Sequence, residues 1–242
     1  MAGALGWGAL ASSSLVLGAA LALGRRWPAQ QVGLVLAFGA GALISAVSFE
    51  LAAEGIEVGS LEATAAGLGL GALVYYGLDG LISTRFSAGR GRGGRAQAED
   101  AGTALALGAF LDGIPEQLVL GIGLAAGEGV SVGLLVAIFV SNLPEAIGSS
   151  SEMRASGTNP RGVLGLWVAI GLICALASGA GYAIADATSG DLQAGIDGFA
   201  AGALLVMLID SMIPEATRES GRVAGLVTTL GFAVATALSS LS

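Results

Sequence analysis

The sequence predicts an all-α integral membrane protein with eight transmembrane helices, as indicated by its composition, its apolar segments and the positions of its arginines. Of its 242 residues, 54% are hydrophobic and 12% are charged, whereas soluble domains carry about 25% charged residues. Too few charged side chains are present to cover a water-exposed surface. The 41 glycines, many of them inside apolar segments, suit helices whose backbones approach one another closely in lipid.

Eight apolar segments have the length of a transmembrane helix, which needs about 20 residues. They are predicted at 4–24, 30–52, 62–83, 102–125, 129–150, 162–185, 194–214 and 222–241, within one transmembrane domain spanning 1–242. Short segments rich in charged residues, glycine or proline separate them. The longest separator, 84–101, is predicted as a cytoplasmic loop rich in glycine and arginine. The first segment has no basic start or clear cleavage site, so it is predicted as a retained helix.

All ten basic residues are arginines, and they fall only in alternate loops of this topology. They are Arg25, Arg26, Arg85, Arg90, Arg92, Arg95, Arg154, Arg161, Arg218 and Arg222. Because basic loops face the cytoplasm, the sequence predicts a multi-pass protein of the cell (plasma or inner) membrane with both termini outside. Since no basic stripe with interleaved aromatic residues is present, nucleic acid is not an expected partner.

Two pairs of segments resemble each other along the chain. Segment 110–116 aligns with 139–145 at a phenylalanine, a proline and a glutamate, and segment 38–54 aligns with 199–215. In the predicted topology the members of each pair cross the membrane in opposite directions. This pattern is the signature of inverted-topology repeats, which place substrate sites near the middle of the membrane.

The two aligned Pro-Glu segments contain the strongest functional candidates. A charged side chain at the centre of a membrane helix costs about 2.5–3.5 kcal/mol, so acids retained there are functional candidates. Asp112 and Glu116 share one helical face, and Ser141, Asn142 and Glu145 share a face of the next helix. Each proline also frees a backbone carbonyl, and such oxygens are ligands for divalent cations. These five residues form the predicted metal site; the alternative is protonated carboxyls, hydrogen-bonded within the bundle.

Four further acids lie toward the ends of helices. Glu50 and Glu54 are near the outer end of the second span, and Asp210 and Glu215 are near the inner end of the seventh. They are predicted to mark the entrance and exit of a cation pathway. The alternative is that these side chains reach the interface and are simply solvated. Cys174 is the single cysteine and is predicted to be a packing residue.

At these residues the chain resembles the ZIP (Zrt/Irt-like) family of divalent metal transporters, especially its bacterial branch. The resemblance rests on Asp112-Gly113-Ile114-Pro115-Glu116 and Ser141-Asn142-Leu143-Pro144-Glu145, with weaker matches at 48–50 and 210–215. It implies eight helices in a 3+2+3 arrangement, with both termini outside. It also implies that Glu116 and Glu145 bind or bridge metal, that Asp112 replaces a motif histidine and that Asn142 occupies a ligand position.

Departures from the family pattern bear on the choice of metal. Both motif histidines are replaced, by Asp112 and Ser141, and Gln117 stands where the family has glycine. A single, mainly oxygen-ligated site is therefore expected, with zinc, manganese, iron or magnesium as substrate and no organic cofactor. Metal ions and the lipid bilayer are the expected partners, and a homodimer is left open.

Two other functions are weighed against metal transport. The same fold is compatible with transport of protons or another substrate, or with a sensor or scaffold that transports nothing. An intramembrane aspartyl protease would pair Asp79 with Asp112, but these acids are predicted at different depths in the membrane. A mechanism based on serine and histidine is excluded because the chain has no histidine. The sequence therefore predicts that the protein is not an enzyme.

Overall fold

The computed structural model describes residues 1–87, 110, 113–125, 131–186 and 188–240. All regular secondary structure in these residues is helical. If helices are taken as continuous through π-helical turns, they are α1 (Ala2–Gly24), α2 (Ala29–Val58), α3 (Leu61–Ser87), α4 (Gly113–Ala125), α5 (Val132–Ala155), α6 (Pro160–Asp186), α7 (Asp191–Ser220) and α8 (Val223–Ser239).

Six of these helices are long and apolar enough to cross a membrane, which makes this an integral membrane protein built of helices. The two shorter apolar helices are α4 and α8. Both coincide with predicted spans, although the predicted start of the fourth span, the 88–101 portion of the predicted loop and Asp112 lie outside the described residues. Four helices run several residues past their predicted ends at 52, 83, 150 and 214. The extensions of α3 to Ser87, which takes up the first residues of the predicted loop, and of α5 to Ala155 are the shorter ones. The longest are those of α2 to Val58 and of α7 to Ser220. The acidic residues beyond those ends were expected to be turns.

Helices α2 and α7 each contain a π-helical segment, in which a backbone hydrogen bond joins residues five positions apart instead of four. In α2 this segment is Val47–Ala53, and in α7 it is Leu208–Met212. The sequence match between 38–54 and 199–215 places Val47 opposite Leu208, so the two segments begin at equivalent positions. Glu50 lies in the first and Asp210 in the second. Such turns are rare and occur frequently at functional sites.

Two pairs of helices pack backbone against backbone through glycine. In the α2–α8 pair, a Cβ added to Gly41 would meet the Thr228 carbonyl oxygen, and one added to Gly231 would meet the Phe38 carbonyl oxygen. A hydrogen bond of 2.8 Å between the Ser45 and Thr236 hydroxyls adds to the same interface. Any side chain larger than hydrogen would push these helices apart.

The α3–α7 pair repeats this arrangement with its own glycines. A Cβ at Gly202 would meet the Leu68 carbonyl oxygen, and one at Gly71 would meet the Phe199 carbonyl oxygen. The sequence match pairs Phe38 with Phe199 and Gly41 with Gly202. The matched helices α2 and α7 therefore use equivalent residues to pack against their partner helices, α8 and α3.

The two ends of the bundle differ in charge. At one end the Arg154 guanidinium donates hydrogen bonds of 3.0 and 2.9 Å to the Ala22 and Leu23 carbonyls, which joins the ends of α5 and α1. Gly33 near the start of α2 packs against Glu219 near the end of α7, so these termini meet at the same end. This arginine end lies opposite the end at which α2 and α8 finish and α5 begins, where acidic side chains gather.

Replacing Arg154 with alanine is expected to destabilise the protein by about 1–2 kcal/mol. A helix leaves its last four carbonyls without partners inside the helix, and hydrogen bonds from a charged donor contribute about 1.5–3 kcal/mol when they are not fully exposed. Arg154 is itself exposed, so the lower part of that range applies. Thermal unfolding in detergent measures the effect. Arg161→Ala, at the exposed start of α6, is the control, and an equal loss in both variants would contradict the capping role.

Candidate functional site

The centre of the bundle holds two of the predicted acids on adjacent helices. Glu116 of α4 is 0% exposed, and its Oε1 accepts a hydrogen bond of 3.0 Å from the Ser141 hydroxyl of α5. Glu145 lies about one helical turn beyond Ser141 on α5, and its Oε2 oxygen is buried. The structure thus brings together Glu116 and Ser141, with Glu145 on the same side of α5 as Ser141.

The same two helices carry two buried amides, each next in sequence to Glu116 or Ser141. Asn142 is 1% exposed and Gln117 is 0% exposed. Neither the oxygen nor the nitrogen of either amide has a hydrogen-bond partner among the residues that the structure describes. A buried polar group left without a partner costs about 1–3 kcal/mol. Such groups, next to acids in an apolar bundle, are suited to contact a polar or charged substrate.

Cys174 of α6 completes the wall of this central region. It is fully buried and within electrostatic range of both the Glu116 and Glu145 carboxyls. A Cβ at Gly113 would lie 3.0 Å from the Cys174 sulfur, so the glycine lets α4 approach α6. The sequence predicted Cys174 as a packing residue, and its apolar neighbours include Trp167 and Ile170.

The complete predicted ligand set is not within the described part of the chain. Asp112 lies outside it. Among the described residues, no three cysteine, aspartate or glutamate side chains lie together in a way that could hold a metal ion. The predicted set also contains the hydroxyl of Ser141 and the amide of Asn142, which are oxygen donors of a different kind. Metal binding at this place remains a prediction.

The acidic end of the bundle contains a cavity of about 610 Å³. The predicted entrance residues Glu50 and Glu54 both line it, as does Glu57, one helical turn further along α2. Together with Thr188, Gln193 and Ser239, they give the wall both charged and neutral polar groups. We call this cavity the outer vestibule, after the orientation that the arginines predict for this end of the bundle. A carboxylate-lined opening of this kind concentrates cations.

A fourth acid is buried directly behind the wall of the outer vestibule. Asp197 of α7 is 2% exposed and accepts hydrogen bonds of 3.1 and 3.4 Å from the Gln193 amide nitrogen. The Gln193 amide oxygen accepts a hydrogen bond of 2.7 Å from the Thr188 hydroxyl. Asp197 is also in electrostatic range of Glu54. This network fixes the side chain of Gln193 at the vestibule wall.

The predicted exit residues have different surroundings. Asp210 is exposed in its π-helical segment, and it is close enough to Asp79 of α3 for their charges to interact. Glu215 forms an ion pair of 3.6 Å with Arg218, which also contacts Glu219 at 2.9 Å. Glu215 therefore has the interfacial surroundings of the solvated alternative, whereas Asp210 and Asp79 place two acids together near the arginine end.

A second large cavity is apolar. It measures about 720 Å³ and lies between α3, α4, α6 and α7, with walls that are almost wholly apolar. Pro115, Tyr75 and Phe199 are among the lining residues. An ion needs polar ligands to replace its water shell. Among the described residues, the central carboxyls and the outer vestibule supply polar groups suited to an ion pathway away from the arginine end.

Several polar residues at these places were missed by sequence reasoning. Four of them lie in loops or near helix ends, where polar residues are common and do not indicate a site. They are Ser131, Thr188, Gln193 and Ser239. Gln117 did have a signal, because it follows Glu116 directly inside an apolar segment. It was noted as a departure from the family motif but was not included among the candidate ligands.

Comparison with known proteins gives one informative match. The chain is 30% identical over 204 residues to a protein of Arabidopsis thaliana named "Putative zinc transporter". The match covers 79% of this chain and 31% of the plant protein, so the chain spans about a third of the length of that relative. No protein-family model matches the chain.

Proposed function

We propose that this protein transports divalent metal cations across a membrane through a carboxylate site at the centre of its helical bundle. One observation carries the proposal: the buried carboxylate of Glu116 is hydrogen-bonded to Ser141 of the neighbouring helix. The same two helices carry Glu145 and two buried amides that have no hydrogen-bond partner among the described residues. Acids at this depth in a membrane are costly. A cation bound among them would offset that cost, and the name of the plant relative supports metal as the cargo.

The proposed route has one group of acidic residues on each side of the central site. Metal enters through the outer vestibule at Glu50 and Glu54 and binds among Asp112, Glu116, Ser141, Asn142 and Glu145. It leaves past Asp210, with Glu215 near the exit. Glu50 and Asp210 occupy equivalent π-helical segments. This equivalence supports an inverted repeat in which each half contributes one of the two acidic residues. In such proteins, transport follows from movement of one repeat unit against the other.

We further propose the ZIP-like topology of eight spans in a 3+2+3 arrangement, with α4 and α8 as the fourth and eighth spans. The positive-inside rule then places the arginine end in the cytoplasm and the outer vestibule outside. The reciprocal glycine contacts of the α2–α8 and α3–α7 pairs support the inverted repeat. The proposed location is the cell membrane, with both termini outside.

The donor atoms bear on the choice of metal. The chain has no histidine, and the proposed ligands are carboxylate, amide and hydroxyl oxygens. Such sites suit manganese, magnesium and ferrous iron, whereas zinc prefers nitrogen and sulfur. The plant relative is nevertheless named for zinc. Zinc therefore stays in the proposed set, to be ranked against the other three by competition.

Metal flux into vesicles tests this proposal. The purified protein is reconstituted in vesicles that contain one dye for divalent metal and another for protons. We expect saturable uptake of at least one of zinc, manganese, ferrous iron and magnesium, with the other metals competing in proportion to their affinity. Proton flux without metal flux would instead identify a proton carrier. Metal binding without any flux would identify a sensor or scaffold.

A further inference from the structure

Glu50 is held by hydroxyl groups from two other helices at the wall of the outer vestibule. Ser131 at the start of α5 donates a hydrogen bond of 2.7 Å to Glu50 Oε1, and Ser239 at the end of α8 donates one of 2.6 Å to the same oxygen. Both lengths lie near the range of about 2.5–2.7 Å that is typical of hydroxyl donors to a charged carboxylate. Glu50 Oε2 has no hydrogen bond to any described residue.

The hydroxyl of Ser131 is fixed by a second interaction. It accepts a hydrogen bond of 3.1 Å from the Leu134 backbone N–H, as the N-cap of α5. A serine hydroxyl has one proton to donate, and the cap uses its oxygen only as an acceptor. The proton therefore points to Glu50, and the position of the carboxylate is tied to the start of α5.

The hydroxyl of Ser239 is fixed by close packing. A Cβ at Gly133 would collide with the Ser239 oxygen, so the absence of a side chain at Gly133 leaves the space that this hydroxyl occupies. One turn earlier, Thr236 is hydrogen-bonded to Ser45 of α2, which holds the end of α8 beside Glu50. Ser239 itself lines the outer vestibule.

We propose that Ser131 and Ser239 are positioning residues that hold Glu50 so that Oε2 alone faces incoming metal. This inference rests on the proposed function, in which Glu50 is the first metal contact on the outer side. With Oε1 occupied by two hydroxyl donors, Glu50 binds a cation through a single oxygen whose direction is set by three helices. Preorganised ligands bind more tightly because less side-chain freedom is lost on binding.

Steady-state metal uptake by variants of the two serines tests the proposal. Ser239→Ala removes one donor, and Ser131→Gly removes the other while lowering the capping contribution by only a few tenths of a kcal/mol. We expect each to raise the KM for outside metal by about tenfold, the lower part of the range for groups that orient metal ligands, with kcat within about twofold of wild type. Ser239→Thr keeps the hydroxyl and should retain the wild-type KM. Ser240→Ala is the matched control, because the Ser240 hydroxyl binds only the Ala237 carbonyl.

A double-mutant cycle with Glu50→Gln separates positioning from a general structural role. We expect Glu50→Gln to raise KM and the serine substitutions to add nothing in that background. A wild-type KM in both serine variants would overturn the positioning role, and so would equal serine effects with and without Glu50. In either case a raised KM for Glu50→Gln would leave the proposed route standing. If Glu50→Gln itself has the wild-type KM, or if the wild type moves no metal, the proposed entrance and this inference are overturned together.

Discussion

Replacing Glu116 or Glu145 with glutamine is expected to reduce metal uptake by more than about 100-fold, because groups that merely orient metal ligands already contribute about 10–100-fold. Glutamine keeps the size of the side chain and removes the charge that a divalent cation needs in an apolar bundle. At Glu116 the amide oxygen of glutamine still accepts the Ser141 hydrogen bond. The helix contact therefore survives while the metal ligand is weakened. Initial rates of uptake into vesicles, normalised to the amount of folded protein, measure the effect.

Glu152→Gln is the matched control for Glu145→Gln, because Glu152 lies on the same helix and is exposed at the arginine end. It should transport metal at the wild-type rate. Size-exclusion profiles and melting temperatures of all three variants establish that the protein still assembles. Undiminished metal uptake by the Glu116→Gln, Glu145→Gln double variant would rule out the central site, whatever the behaviour of the outer vestibule.

Adding a methyl group at Gly41, Gly71, Gly202 or Gly231 is expected to destabilise the bundle by about 1–3 kcal/mol or more per substitution, the usual cost of overpacking a core. At each position the new Cβ would meet a backbone carbonyl oxygen of the neighbouring helix. A backbone atom cannot rotate out of the way as a flexible side chain does. The whole helix must move, and close packing elsewhere in the pair is lost. Chemical denaturation in detergent, followed by circular dichroism, measures the loss.

Two glycines on the same helices supply matched controls. Gly69 of α3 and Gly225 of α8 have no heavy atom of another element within 4 Å of an added Cβ. Their alanine variants should remain within about 0.5 kcal/mol of wild type, as substitutions away from packed interfaces do. If Gly71→Ala were as stable as Gly69→Ala, close backbone packing in the α3–α7 pair would not be what holds these helices together.

Hydropathy predicted the helical membrane architecture, because the length of an apolar segment follows from the apolar thickness of the bilayer. The count of eight spans and the orientation that the arginines indicate stay predictions. The π-helical segments at Val47–Ala53 and Leu208–Met212 were not predicted. Their sequences contain no glycine or proline, and no period in the sequence marks the change in hydrogen bonding. The ends of α2 and α7 were placed too early for a related reason. Charged residues such as Glu54 and Glu57 after an apolar segment predict a turn, whereas in the structure they line the outer vestibule from within the helix.

The central site stays a prediction, and its candidates Glu116, Asn142 and Glu145 could be selected from the sequence because they are polar residues within apolar segments. The structure adds the contact between Glu116 and Ser141, which links the two aligned motifs directly. The contacts of Glu50 with Ser131 and Ser239 were beyond sequence reasoning. They join residues 81 and 189 positions apart, and serine at a helix end is too common to indicate a partner.

The π-helical segments also set the relative rotation of the two parts of each helix. A π-helical turn is closed by a hydrogen bond between residues five positions apart, so it contains more residues than an α-helical turn. The part of the helix after this turn is therefore rotated about the helix axis relative to the part before it. In α2 this rotation lies between the close-packed Gly41 and the vestibule residue Glu54. In α7 it lies between Gly202 and Glu215. Helices α2 and α7 can thus each keep one face packed against the partner helix, while the polar residues after the π-helical segment face a different direction.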